Sequence, residues 1–95
     1  MGYRTTPTAD EDIVNLYIEG LQKFGLRQAD RYHDSLIDCF ELLAAQPLIA
    51  RERREFRRPV RVHFHHSHVV AYEVAGDNVL IVRVLHGRQD WQQLL

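Results

Sequence analysis

Residues His68 to Leu85 constrain the fold of this chain more than any other stretch. Val69, Val70, Tyr72 and Val74 make one run rich in β-formers and Val79 to Leu85 make a second. Gly76-Asp77-Asn78 between them supply residues that tolerate positive φ, so the segment predicts a tight β-hairpin. The second run is apolar on both alternating faces except for Arg83, which is the pattern of a strand covered on both sides. A lone charge in such a strand needs a partner, and Glu73 on the adjacent strand is a candidate.

Upstream, Gly2 to Thr6 reads as a short strand that Pro7 stops. Thr8-Ala9-Asp10-Glu11 has the form of a capping box, with the acids Asp10 to Asp12 at the positive end of a helix. Ile13, Leu16, Tyr17, Gly20, Leu21 and Phe24 then recur at helical spacing, and Gly25 stands where a C-terminal cap is wanted, which predicts a helix over 9–24. A second helix begins near Arg27, carries Ala29, Tyr32, Leu36, Phe40, Leu43 and Ala44 on one stripe, and ends at Gln46-Pro47. With two or three residues between them, the helices form an antiparallel hairpin. Val60, Val62 and Phe64 alternate with Arg61, His63 and His65 as a half-buried strand, and a turn near His66-Ser67 leads into the β-hairpin.

The predicted order is β-α-α-β-β-β, an α+β fold with the helical hairpin packed on one face of a mostly antiparallel, twisted sheet. The other face is then polar, or is closed by the chain's own tail or by a partner.

Ninety-five residues suit a single domain over 1–95, able to bury roughly 60% of its unfolded surface. The N-terminus has no apolar signal core and no apolar run approaches the roughly 20 residues of a membrane span, which predicts a cytoplasmic protein. Cys39 is the single cysteine and falls inside a helical pattern, so its expected role is half-buried packing. Charge is uneven: residues 1–50 hold eight acids against four bases, and residues 51–95 hold eight bases against five acids. The basic excess concentrates in Arg51, Arg53, Arg54, Arg57, Arg58 and Arg61. That run is either a solvated connection, the reading favoured here, or a contact surface for an acidic partner or nucleic acid.

His63 and His65 project to one face of a strand and His66 and His68 flank a turn, which raises the question of a zinc site. The segment offers no cysteine and no obvious acidic ligand, so solvated histidines are the preferred reading and no metal or cofactor is expected.

Several segments together resemble the ParE branch of the ParE/RelE toxins. They are "YIEGLQKFGLRQA" from Tyr17, the helix end Leu43-Ala44-Ala45-Gln46-Pro47, "HVVAYEV" from His68, and "VLIVRVLHGRQDW" from Val79. The most specific piece is Arg83 to Asp90. The resemblance implies the toxin of a type II toxin–antitoxin pair that poisons DNA gyrase. It also implies a hetero-oligomeric complex with a ParD-like antitoxin whose C-terminal segment wraps the toxin, without sequence-specific nucleic-acid binding. On this reading Arg57, Arg58, Arg61, Arg83, His86, Arg88, Asp90 and Trp91 are candidates for contact with target or antitoxin. Leu16, Tyr17, Leu21, Tyr32, Leu36 and Phe40 are candidates for an antitoxin groove on the helical hairpin. One departure is that residues 48–59 lack the glycines many relatives carry there, so their conformation stays open.

The RelE branch shares the fold but cleaves messenger RNA on the ribosome. Its chemistry needs a base, an acid and cations around the scissile phosphate. This chain's only lysine is Lys23, and Trp91 after Arg88 moves no proton usefully. His63, His65 and His86 are the candidates for moving protons, and Arg58, Arg61, Arg83 and Arg88 are the phosphate-binding candidates. The resemblance, taken with this missing chemistry, favours a gyrase poison without enzymatic activity over a ribonuclease. A third reading is a non-toxic module that only binds its antitoxin.

Overall fold

In the computed structural model, which describes residues 2–95, the hairpin strands are β4 (His68–Ala75) and β5 (Asn78–His86) at the centre of a five-stranded sheet. The first strand, β1 (Tyr3–Thr5), pairs parallel to β5. On the other side β3 (Val60–His65) runs antiparallel to β4, and β2 (Glu52–Arg53) antiparallel to β3, giving the order β1-β5-β4-β3-β2. The helices α1 (Pro7–Phe24) and α2 (Leu26–Ala45) form the hairpin, and a short 3-10 helix, Trp91–Leu94, ends the chain.

Helix α1 starts two residues before the predicted position. Thr6, not Thr8, is the N-cap: its hydroxyl accepts from the Ala9 amide at 3.0 Å and donates to the Val82 carbonyl at 2.8 Å. Thr6 is extended because its amide still bonds to the Ile81 carbonyl at 3.0 Å, and Pro7 fits the first helical turn, where no amide donor is needed. A single residue, Gly25, joins the helices. Its φ of 87° and ψ of 173° lie in a region that only glycine occupies without strain, and this lets α2 begin one residue before Arg27.

Two apolar layers flank the sheet. On one face Leu36, Phe40 and Leu43 of α2 pack with Ala9, Val70, Tyr72, Ile81 and Val84. On the other, Val60, Val62, Val69, Ala71, Val82 and Leu85 are covered by Phe56, Trp91 and Leu95. The second face is thus closed by the chain's own tail, which explains a β5 that is apolar on both sides. The Arg53 guanidinium lies 5.3 Å from the Phe56 ring centre and 5.8 Å from that of Trp91, a cation seated on this layer.

The connection after α2 is less open than its composition implies. It contributes β2 to the sheet edge, and ion pairs join Arg53 to Glu55, Arg54 to Glu52 and Arg58 to Glu73. Arg61 donates to the Ala50 carbonyl, and the Tyr72 hydroxyl donates to the Pro47 carbonyl at 2.9 Å. Glu73 therefore serves Arg58. The partner of Arg83 is Asp12 on α1, whose carboxylate accepts from Arg83 Nε at 2.8 Å, from an Arg83 terminal nitrogen at 3.1 Å and from the Val84 amide at 3.0 Å.

Candidate functional surface

The β3–β4 turn has only two residues, His66 and Ser67, and places His65 and His68 opposite each other in register. The strand end at His86 pairs with His68 across the next ladder. Two sheet histidines, His65 and His68, thereby meet Tyr32, which α2 directs onto this corner, and the His86 ring lies edge-on to His68 at 5.1 Å between centroids. The Tyr32 hydroxyl lies 2.6 Å from His68 Nδ1 and 3.3 Å from the His65 carbonyl. Ser35 donates to the Tyr32 carbonyl at 2.8 Å, leaving its oxygen to accept from His65 Nε2 at 3.0 Å. The expectation of solvated histidines fails for His65 and His68, which are partly buried and bonded to α2. Burial and the neighbouring His86 push His68 down to about 4, and burial also lowers His65, so both are neutral at pH 7. Among the described residues, no group of three or more His, Cys, Asp or Glu side chains is arranged to hold a metal ion.

Beyond His86 the chain turns sharply. The Gly87 amide donates to the Ser67 carbonyl at 2.8 Å, the Arg88 amide to His86 Nδ1 at 3.0 Å, and the Gln89 side-chain oxygen accepts from the His86 amide at 2.9 Å. This turn, the histidine corner and the C-terminal half of α1 enclose a groove of about 500 Å3. Leu16, Gly20, Ala29 and Tyr32 line its apolar part, and Glu19, Lys23, His68, His86 and Arg88 line its polar part. Lys23 holds Glu19 at 2.7 Å, which keeps that carboxyl below its usual range.

The sequence candidates separate clearly on this geometry. His86 and Arg88 sit together at the groove, whereas Arg57 and Arg58 lie on the connection and Asp90 precedes the 3-10 helix. Arg61 is tied to Ala50, Arg83 is committed to Asp12, and Trp91 is buried in the tail layer, so these three are structural in the free chain. Of the groove candidates on the helices, Leu16, Tyr17, Leu21 and Tyr32 remain partly exposed. Leu36 and Phe40 are fully buried against the sheet and cannot face an antitoxin. What does face outward is a pair one turn apart on α1, Val14 at 56% and Ile18 at 46% exposure. Beside them Ile13, Val14, Tyr17, Asp30 and His33 line a shallow second depression. Sequence reasoning missed Val14 and Ile18, although they extend the apolar stripe of α1 sideways beyond the width needed to cover one sheet face. It also missed His68 as a partner of Tyr32, a contact across 36 positions with no local signal.

This two-helix hairpin on a mostly antiparallel sheet is shared with a solved chain described as the chromosomal ParDE TA system from P. aeruginosa. The two superpose with a TM-score of 0.77 over 90% of this chain and 95% of that one, at 18% identity, a likeness of fold. The sequence relationship goes further. The family model for the ParE toxin of the type II toxin–antitoxin system parDE matches residues 3–91, and the chain belongs to that family. It is 32% identical over 89 residues to Toxin ParE1 of Mycobacterium tuberculosis, spanning 93% of this chain and 91% of the relative. It is 33% identical over 84 residues to Toxin ParE1 of Caulobacter vibrioides, spanning 88% and 86%. Among the described residues, no helix is long and apolar enough to cross a membrane.

Proposed function

We propose that this toxin acts in the cytoplasm by poisoning DNA gyrase, and that a ParD-like antitoxin holds it inactive in a hetero-oligomeric complex. The observation that carries the antitoxin half is the outward Val14 and Ile18 pair on α1, flanked by the depression at Tyr17 and His33. An amphipathic helix laid along that stripe buries apolar surface that the chain leaves in water by itself. The gyrase half is supported by family membership and by the ending of β5, where Trp91 turns into the tail layer and offers no acid or base. Inducing the toxin alone is expected to arrest growth, and coexpression of the neighbouring reading frame to restore it. Continued growth on induction alone would instead indicate a non-toxic binding module. In vitro, purified toxin is expected to make gyrase accumulate cleaved complexes on supercoiled plasmid.

One observation favours ribosome-dependent mRNA cleavage as the second reading. Tyr32, His68 and His86 line one groove with Lys23 and Arg88, a set able in principle to bind phosphate and move protons. Against it, Lys23 is bonded to Glu19, and the Tyr32 hydroxyl is bonded to a neutral His68. Loss of growth arrest in His86→Ala, together with mRNA cutting by the parent on programmed ribosomes and no effect on gyrase, would reverse the order of the two readings.

A further inference from the structure

The groove at the histidine corner combines two surfaces that suit different parts of one ligand. Leu16, Gly20 and Ala29 give it an apolar floor, and at about 500 Å3 the groove has the size of a pocket that encloses a short run of side chains. Its rim carries hydrogen-bond donors. His86 accepts the Arg88 amide through Nδ1, so the neutral ring carries its proton on Nε2. The Arg88 residue is exposed and, among the described residues, its guanidinium forms no ion pair. The one carboxylate at the groove, Glu19, is already held by Lys23.

We infer that this groove receives a segment of the antitoxin in which an apolar side chain is followed closely by a carboxylate. The apolar group lies over Leu16, Gly20 and Ala29, and the carboxylate is bound by Arg88 with the His86 Nε2 proton. The inference rests on the antitoxin reading above and adds a second anchor to it, separate from Val14 and Ile18. Charge complementarity selects this occupant. A purely apolar segment would cover Arg88 and the imidazole donor without giving them an acceptor, which is costly, while a purely acidic one would leave the floor wet. A carboxylate on a guanidinium is a charge-assisted contact with the directionality to fix the register of the wrapped segment.

The test is a titration of full-length toxin variants with the full-length antitoxin encoded by the neighbouring reading frame. Arg88→Glu is expected to weaken binding ten- to a hundredfold and His86→Ala several-fold, with thermal midpoints unchanged. An antitoxin Asp or Glu→Arg substitution is expected to recover at least tenfold toward Arg88→Glu. Parent-like binding by both toxin variants, with Ile18→Glu breaking the complex, would overturn the groove while leaving the antitoxin reading intact. No complex between the parent proteins would sink the antitoxin reading itself. If Arg88→Glu keeps the antitoxin but loses growth arrest, the groove meets the target and the inference is wrong.

Discussion

Helices α1 and α2 are close in length, 18 and 20 residues, and lie side by side, yet they relate to the sheet in opposite ways. Helix α2 buries Ala29, Leu36, Cys39, Phe40, Leu43 and Ala44, whereas α1 buries only Ala9 completely. Burial on α2 is deep enough to push the Cys39 thiol up to about 11. Helix α1 packs Ala9, Ile13 and Leu16 against the same core and adds directional contacts: the Thr6 hydroxyl on the Val82 carbonyl and the Asp12 carboxylate on Arg83 and Val84. It also holds α2 through the Tyr17 hydroxyl, which donates to Asp30 at 2.5 Å. The difference teaches that one helix supplies stability and the other supplies surface. A helix that buries only part of its apolar stripe and is fastened by polar contacts as well leaves Val14 and Ile18 in water.

The sharpest way to break this comparison is to truncate each helix where it matters. Phe40→Ala should cost about 3–5 kcal/mol in denaturant unfolding, because the ring is fully buried and its edge meets Tyr3 at 5.3 Å between centroids. Asp12→Ala should cost about 2–3 kcal/mol, somewhat less than a fully buried pair, since it strands a partly exposed Arg83. A cost below about 0.5 kcal/mol would show that α1 is held by something other than this pair.

The histidine corner gives a smaller effect whose sign follows from its neutral state. Between pH 6.5 and about 4 the unfolded chain takes up a proton at His68 that the folded chain refuses. Stability should therefore fall as pH drops through that window, by about 1–2 kcal/mol after allowance for partial exposure. His65, lowered by burial and its histidine neighbours, pulls in the same direction. Thermal midpoints of the parent and His68→Asn across this range check it, and an equally steep fall in the variant would remove His68 as the cause. Smallest of all, Val14→Ser and Ile18→Ser should each change stability by no more than about 0.5 kcal/mol while weakening the antitoxin complex. A loss of stability comparable to Phe40→Ala would dissolve the distinction between the helices.

The sequence carried the strand and helix order well because it is written in local periodicity. Val79 to Leu85 demanded cover on two sides, and the α2 layer and the Trp91 tail provide it. Partner choice was less legible. Arg83 finds Asp12 across 71 positions while Glu73, on the adjacent strand, turns to Arg58, because a strand residue's direction depends on which layer its face meets. The Thr8 box looked like a start signal, but sheet pairing at Thr6 decided where the helix begins. Periodicity likewise marked Leu36 and Phe40 as apolar without telling whether sheet or antitoxin covers them; the sheet does.

The parallel pairing of β1 with β5 also bears on when the molecule becomes complete. Tyr3 lies against Val79 and the Thr6 hydroxyl reaches Val82 across 76 positions of chain. At roughly 5–20 residues per second of synthesis, the two sides of that contact emerge several seconds apart. Until β5 arrives, β1 has no strand to pair with and Asp12 has no Arg83 to hold. The nascent chain thus passes through an interval in which both helices have been made while the strand end that completes the groove, His86 to Arg88, has not.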